Sequence, residues 1–195
     1  MKKLIIATGN PGKVREIEAL LNGEYDSIMT MKEAGVKAEI VEDADTFLGN
    51  AAIKALTVSR LTDADVLADD SGLCVDGLDG RPGVYSARYS MSGTDEDNNR
   101  KLVEECSCIP EEDRKAHYVC ALVLARNGEE VFSCEGTCDG RIILEARGKN
   151  GFGYDPYFFL DDYGITFGEM DPDIKNKISH RANALAAFKR FVEEN

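Results

Sequence analysis

The chain has 195 residues, of which 36 are acidic and 23 basic, and its net charge is −13. Hydrophobic residues make up 43%, which supports one sizeable core and argues against a disordered chain. The acidic balance argues against a protein that grips nucleic acid through a basic face, although a small polyanion could still bind at a local basic cluster. No apolar run reaches the length of a membrane span or resembles a signal peptide, so we expect no membrane partner and a cytoplasmic location.

Hydrophobic patterning predicts alternating strands and helices in the first part of the chain. Short apolar runs predict strands at residues 4–7, 25–31 and 66–68. Apolar residues at helical spacing predict a helix that carries Val14 and Ile17, and a second helix over residues 46–61, capped by Asp45 or Thr46.

The second part of the chain predicts a β-hairpin. Residues 118–125 are rich in β-formers, and Asn127-Gly128 is preferred two-residue turn chemistry before a strand at residues 130–134. Helices are expected at residues 95–106 and 179–193. Because hairpins and helix crossovers coexist, we expect one α/β domain over residues 1–195. It would contain a long, mixed, bent β-sheet flanked by helices, forming two lobes with a central cleft.

Two adjacent carboxylates, Asp69 and Asp70, follow the third predicted strand. Neighbouring carboxylates repel each other unless positive charge lies beside them. A hard cation such as Mg²⁺ prefers carboxylate oxygens and is the simplest candidate. The alternative is an ordinary polar turn, with Ser71 and Gly72 as turn residues.

A second candidate site is the turn Thr8-Gly9-Asn10 before the first helix, with Lys13 close behind it. Backbone N–H groups at a helix start and a neighbouring Lys favour anion binding, and glycine lets an oxyanion approach the backbone. The spacing is not that of a Walker A loop. The alternative is a helix that begins at Pro11 and exposes Lys13.

A third group comprises Glu42, Asn50 and Lys54. Asn50 and Lys54 are four residues apart on a predicted helix, so both can point to one site. The alternative for Lys54 is a solvated helix face.

A fourth group is the run Gly151-Phe152-Gly153-Tyr154-Asp155. An aromatic residue between glycines can present its planar face to a nucleobase.

Lys175 and Ser179-His180-Arg181 form the last group, at the start of the final helix. Donors on His180 and Arg181 can read carbonyl oxygens of a base edge or hold a phosphate, whereas a surface histidine is the alternative for His180. Together the five groups predict binding of a nucleoside triphosphate with its metal ion.

The six cysteines fit no zinc-binding spacing, and the chain has only two histidines. We interpret them as reduced, mostly buried thiols, with Cys120 acting as a small apolar residue in a strand. Pairing of Cys134 with Cys138 is the alternative.

The chain resembles the inosine triphosphate pyrophosphatase family over nearly its whole length, and six motifs occur in the family's order. The motifs are Thr8-Gly9-Asn10 with Lys13, Thr46-Phe47 with Asn50-Ala51 and Lys54-Ala55, residues 69–73, residues 82–89, residues 151–156, and Ser179-His180-Arg181. The resemblance implies the α/β fold of that family and Mg²⁺-dependent hydrolysis of non-standard purine triphosphates to monophosphate and pyrophosphate. It also implies a homodimer that acts on small-molecule nucleotides and not on nucleic acid.

The same resemblance implies roles for individual residues. Asp70, Asp69 and Lys54 would be catalytic, with Asp70 orienting or deprotonating the attacking water. Glu42 and Asp70 would bind the metal ion. The substrate would contact Thr8, Gly9, Asn10, Lys13 and Ser71, and on the purine side Phe152, Gly153, Tyr154, Asp155, Lys175, His180 and Arg181.

The sequence departs from the family pattern at two positions. Gly49 stands where the family usually has an acidic residue, so we expect metal affinity or rate to differ and Glu42 to carry more of the metal binding. Arg81 stands where a small residue is common, which could alter substrate access or the dimer surface. Two other functions stay open: a nucleotide-binding module without turnover, and an enzyme acting on pyrimidine or methylated nucleotides.

Overall fold

The computed structural model describes residues 2–194. Within that range the strands are β1 (Lys3–Ile6), β2 (Ser27–Thr30), β3 (Asp65–Val75), β4 (Lys115–Arg126), β5 (Glu129–Ile142), β6 (Phe158–Leu160) and β7 (Ile165–Thr166). The α-helices are α1 (Pro11–Leu20), α2 (Phe47–Ser59), α3 (Asp95–Ser107), α4 (Pro172–Ile178) and α5 (His180–Glu194). Short 3-10 helices cover Asp76–Leu78, Gly83–Arg88 and Glu111–Asp113.

The seven strands form one mixed sheet in the order β2-β1-β3-β4-β5-β6-β7. Strand β1 runs parallel to β2 and β3, whereas β6 runs antiparallel to both β5 and β7. The predicted α/β class with a mixed sheet is therefore confirmed. The predicted hairpin joins β4 to β5, and Asn127 and Gly128 have φ angles of 53° and 80°, the positive values that a two-residue hairpin turn requires.

The chain divides into two compact units. The first unit comprises the residues up to Asp70, Cys120–Gly136 and the residues from Arg181 onward, and the second unit comprises Ser71–Val119 and Thr137–His180. The single domain with two lobes and a central cleft stays a prediction.

The first unit contains a core of aliphatic side chains from β1, β3 and β4 and from the inner faces of α1 and α5. Ile17 of α1 and Phe188 of α5 are fully buried in this core, as the helical spacing predicts. Phe188 packs near Phe132, with ring centroids 5.9 Å apart. Helices α1 and α5 therefore cover β1 and β3, the parallel strands that lead to the turn at Thr8 and to Asp69.

The second unit contains an aromatic core. Tyr118, Phe158 and Phe167 pack with ring centroids 4.6–6.0 Å apart, within the range in which aromatic pairs attract. Leu73 and Val75 of β3 are fully buried in the same core. Tyr154, from the loop that carries Phe152, belongs to this core.

The prediction that the third strand ends before the two carboxylates is wrong. Strand β3 continues through Asp69 and Asp70 to Val75, and both carboxylates are buried within it. A polar pair interrupts an apolar run, but it does not end a strand when its charge is compensated and apolar residues follow.

The structure also bears on the apolar runs and on the six cysteines of the sequence. No helix within residues 2–194 is long and apolar enough to cross a membrane. Over the same range no disulfide links any of the six cysteines. Cys108 is exposed, whereas Cys106 and Cys120 are buried.

Leu122→Ala is expected to lower the free energy of unfolding by about 2–5 kcal/mol, because it deletes fully buried methyl groups and leaves a cavity. Leu61→Ala makes the same chemical change at a side chain that is 55% exposed, so its cost should be about 0.5 kcal/mol or less. Urea denaturation followed by circular dichroism measures both variants. Equal losses would contradict the place of Leu122 in the core.

Candidate active site

The turn after β1 ends in a capped helix start. Asn10 is the N-cap of α1, and its Oδ1 accepts hydrogen bonds from the backbone N–H groups of Gly12 (2.8 Å) and Lys13 (3.3 Å). Thr8 Oγ1 accepts from the backbone N–H of Asn10. A Cβ on Gly9 would meet no atom within 4 Å, so the backbone of this turn is open to a ligand. These features suit the anion site predicted for the turn.

Asp69 lies at the centre of a buried charge cluster in the first unit. Its carboxylate, fully buried, pairs with Lys13 and accepts from Arg181 Nε at 2.8 Å and from the Cys120 thiol at 3.1 Å. Burial acts to raise the pKa of Asp69, but Arg181 and then Lys13 outweigh it and hold the pKa well below the usual value. Lys13 is mostly buried, so the alternative of an exposed Lys13 is wrong.

Arg181 bridges two carboxylates. Its Nε contacts Asp69, its Nη1 contacts Glu16 of α1, and its side chain is 1% exposed. A guanidinium can bind two acids at once because its donors form a rigid planar fork. The predicted contact of Arg181 with a base edge stays a prediction.

Lys54 holds a second pair of carboxylates. Its Nζ lies 2.8 Å from Glu42 Oε2 and 3.3 Å from Asp70 Oδ1. Lys54 is 7% exposed, so the alternative of a solvated helix face is wrong. The structure thus brings together Glu42 and Asp70, the two residues predicted to bind the metal ion.

Asp70 keeps one carboxylate oxygen unbonded. Among residues 2–194, its buried Oδ2 makes no hydrogen bond of ordinary geometry, although the side chain of Asn50 lies close enough to lower the pKa of Asp70. Burial raises the pKa of Asp70, and Lys54 and Lys13 oppose that rise in part. A buried, unsatisfied anionic oxygen beside a second carboxylate is a donor set that suits a divalent cation.

The site offers few protein side chains as ligands for a metal ion. Across the described range 2–194, no group of three or more His, Cys, Asp or Glu side chains is arranged to hold a metal ion. Mg²⁺ in nucleotide sites is commonly bound by one or two carboxylates together with substrate phosphates and waters. Glu42 and Asp70 therefore fit that cation as a partial site that a phosphate substrate would complete.

The start of α2 positions the segment that carries Glu42. Asn50 is buried, and its Oδ1 accepts from the backbone N–H of Ala44 at 3.0 Å. Thr46 caps the helix by accepting from the N–H of Gly49. A Cβ on Gly49 would lie 2.7 Å from Ala44 Cβ, so this segment packs more closely on the helix than an acidic residue at position 49 would allow.

The second unit contains the predicted base-binding residues other than Arg181. We call residues 151–155 the aromatic loop. Asp155 Oδ2 accepts from the backbone N–H of Phe152 (2.9 Å) and from Lys175 Nζ (2.8 Å), and Asp155 and Lys175 are both buried. Lys175 Nζ also lies 5.1 Å from the centroid of the Phe152 ring, a cation–π distance. Gly151 is required there, because its φ is +75° and a Cβ would lie 1.9 Å from Asp155 Oδ2.

His180 and Tyr154 are packed beside the aromatic loop. The His180 ring stacks on Tyr118 with centroids 4.6 Å apart and an interplanar angle of 12°. His180 is buried, so the alternative of a surface histidine is wrong. The Tyr154 hydroxyl donates to the backbone carbonyl of Ser86 at 2.6 Å. Ser71 follows Asp70 in β3 and is partly buried.

Arg81, the second departure from the family pattern, is tied to α3. Its Nη1 lies 2.6 Å from Glu105 Oε2, and its Nε donates to the backbone carbonyl of Leu78. An effect of Arg81 on substrate access or on a dimer surface stays a prediction.

Sequence reasoning missed several residues that contact the predicted set. Glu16 carried a detectable signal, because it lies three residues after Lys13 on the same helix. Cys120 and Tyr118 carried none, because each reads as an ordinary residue of an apolar strand. Asp95 and Asn99 read only as polar residues of an acidic helix, yet both contact Gly153.

Comparisons with known proteins agree with this geometry. The chain matches the Ham1 family over residues 4–191. It is 45% identical to the dITP/XTP pyrophosphatase of Clostridium tetani, covering 99% of this chain and 97% of that protein. It is 46% identical to the enzyme of the same name from Bacillus licheniformis, covering all of both chains.

Solved structures agree as well. A HAM1 protein from Coxiella burnetii superimposes with a TM-score of 0.90 at 36% identity, covering 100% of each chain. The Staphylococcus aureus Ham1 protein gives a TM-score of 0.87 at 33% identity, with 99% of each chain covered. On sequence and on structure alike, the chain belongs to the Ham1 family.

Proposed function

We propose that this protein is a dITP/XTP pyrophosphatase, a hydrolase that converts non-standard purine nucleoside triphosphates to the monophosphate and pyrophosphate. Relatives of that name are 45% and 46% identical over the full length. The observation that carries the proposal is the buried pair of adjacent carboxylates, Asp69 and Asp70, each beside a lysine: Lys54 is buried and Lys13 is mostly buried. Removing such nucleotides would keep them out of the pool used for nucleic-acid synthesis.

The first unit would bind the triphosphate. Lys13 and the N-terminus of α1 supply positive charge for phosphate oxygens, and this charge would stabilise the leaving pyrophosphate. Glu42 and Asp70 would hold Mg²⁺. When bound, Mg²⁺ would neutralise phosphate charge and act as a Lewis acid on phosphoryl oxygens.

Asp70 would orient the attacking water and accept its proton. Its Oδ2 makes no hydrogen bond of ordinary geometry among residues 2–194, so a water could donate to it. Lys54 fixes the other oxygen at 3.3 Å and thereby sets the direction of the carboxylate. Asp69 would have a different role. Its carboxylate already pairs with Lys13 and Arg181, so it would position these two cations.

The second unit would bind the purine. The ring of Phe152 would stack on the base, and Lys175 and His180 would supply donors to its edge. Arg181, the further donor predicted for the base edge, belongs to the first unit. Donors aimed at O6 accept hypoxanthine or xanthine and disfavour adenine, which presents an amino group at that position. Guanine keeps O6 but carries a 2-amino group that would be left unpaired. A buried donor–donor mismatch costs on the order of 1–3 kcal/mol, which corresponds to about 10- to 100-fold in discrimination.

The homodimer and the cytoplasmic location are part of the same proposal. The homodimer follows from the resemblance to the pyrophosphatase family, and the cytoplasmic location is the expectation from the hydrophobic patterning of the sequence. Sedimentation of the purified protein measures the first, and fractionation of cells measures the second.

With Mg²⁺ present, we expect strong pyrophosphate release from ITP, XTP and dITP and at least about tenfold lower kcat/KM with GTP, ATP and dTTP. A coupled pyrophosphate assay across this panel measures the ratios. Binding of ITP without release would support a nucleotide-binding module instead. Preference for dTTP or for methylated nucleotides would reject the purine specificity and keep the phosphate chemistry.

Asp70→Asn should lower kcat by about 10²- to 10⁴-fold, because the amide cannot accept the proton of the attacking water. ITP binding should be largely retained, since the change is isosteric and leaves the turn Thr8-Gly9-Asn10 intact. Pyrophosphate release and isothermal titration calorimetry measure the two effects.

Asp63→Asn is the matched control for that experiment. It removes the same charge from an exposed turn of the first unit and should leave kcat within about twofold of wild type. A near-normal kcat in Asp70→Asn would reject Asp70 as the base.

A further inference from the structure

Helix α3 contacts the aromatic loop through both polar groups of one backbone residue. Gly153 N–H donates to Asp95 Oδ2 at 2.9 Å, and Gly153 C=O accepts from Asn99 Nδ2 at 2.9 Å. Asp95 and Asn99 are four residues apart on α3, so they lie on the same face of the helix. The two side chains therefore reach the backbone N–H and the backbone C=O of the same residue, Gly153.

The aromatic loop depends on such side-chain bonds because it has little regular structure of its own. Gly151 and Gly153 have φ angles of +75° and +60°, and glycine loses much conformational freedom when it is held in one conformation. Asp155 fixes the N–H of Phe152 on one side of the loop, and α3 fixes Gly153 immediately after it. The backbone on both sides of the Phe152 Cα is thus restrained.

We propose that Asp95 and Asn99 are positioning residues for purine binding: they hold Gly153 so that the ring of Phe152 stands ready to stack on the base. The inference rests on the proposed function, since it takes Phe152 as the platform for the purine. A preordered platform binds more tightly than a mobile one, because the cost of ordering it is met before the ligand arrives. Neither residue touches the reacting phosphate, so the effect falls on binding and not on the chemical step.

The two contacts differ in their exposure to water. Asn99 is half-buried, whereas Asp95 is exposed and its bond to Gly153 competes with solvent. A net hydrogen bond of ordinary strength corresponds to about a fivefold change in affinity. Asn99→Ala is therefore expected to raise the KM for ITP about fivefold, and Asp95→Ala about twofold, with kcat within twofold of wild type.

Matched controls lie on the same helix. Glu96→Ala removes an exposed acid from the same first turn as Asp95, and Arg100→Ala changes the exposed residue that follows Asn99. Both controls should keep the KM of wild type. Thermal unfolding midpoints of each variant and its control should agree within about 3 °C. Such agreement would show that a higher KM reflects a change at Phe152 and not a loss of the folded structure.

A double-mutant cycle with Phe152→Ala tests whether the effect acts through the ring. Phe152→Ala alone should raise the KM for ITP about tenfold, since it removes a stacking contact. Adding Asn99→Ala to it should change the KM less than about twofold, because no ring remains to be positioned. Full additivity would overturn the inference, as would an unchanged KM in Asn99→Ala.

The dissociation constant of ITP, measured by calorimetry on the same variants, separates this inference from the proposed function. If wild type releases no pyrophosphate, the proposed function fails, and the same fivefold and nonadditive pattern in the dissociation constants still supports the inference. If wild type hydrolyses ITP but Asn99→Ala binds it like wild type, the inference alone is overturned.

Discussion

The arrangement of the first unit depends on one buried negative charge, the carboxylate of Asp69. An uncompensated carboxylate with no exposure to water would be too costly to keep ionised, so the protein must place cations beside it. Arg181 of α5 and Lys13 of α1 supply the charge, and the thiol of Cys120 in β4 adds a hydrogen bond. One carboxylate thus ties four elements together, and it fixes Lys13, which closely follows the turn Thr8-Gly9-Asn10.

The adjacent carboxylates show how surroundings divide two identical groups into two roles. The pKa of Asp69 is held well below its usual value by Arg181 and Lys13 in spite of burial, whereas burial raises the pKa of Asp70. Asp69 is occupied by cations. Asp70 shares Lys54 with Glu42 and retains an oxygen that makes no hydrogen bond of ordinary geometry within residues 2–194. The pair can therefore combine a fixed structural charge with an available base, as paired acids do when their environments push their pKa values apart.

Local patterns in the sequence were enough to predict the α/β class, most helices and the hairpin at Asn127-Gly128, because each depends on neighbours along the chain. The same reasoning ended β3 too early. Compensation of Asp69 comes from Arg181, 112 residues away, and no local pattern contains that information. The candidate site shows the same limit: its motifs were visible, but Tyr118, Cys120, Asp95 and Asn99 resemble ordinary strand or helix residues until the fold brings them to the site.

Each unit contains a buried acid bound to a buried cation among its predicted site residues. In the second unit Asp155 pairs with Lys175 at 2.8 Å and also accepts the N–H of Phe152, as Asp69 pairs with Arg181 in the first. Buried ion pairs add little net stability, since the loss of hydration offsets much of their attraction. Their main effect is on geometry, because a charged group that is shielded from water allows its partner few positions. In both units the group so directed, Lys13 in one and the loop of Phe152 in the other, is the one that would meet the nucleotide.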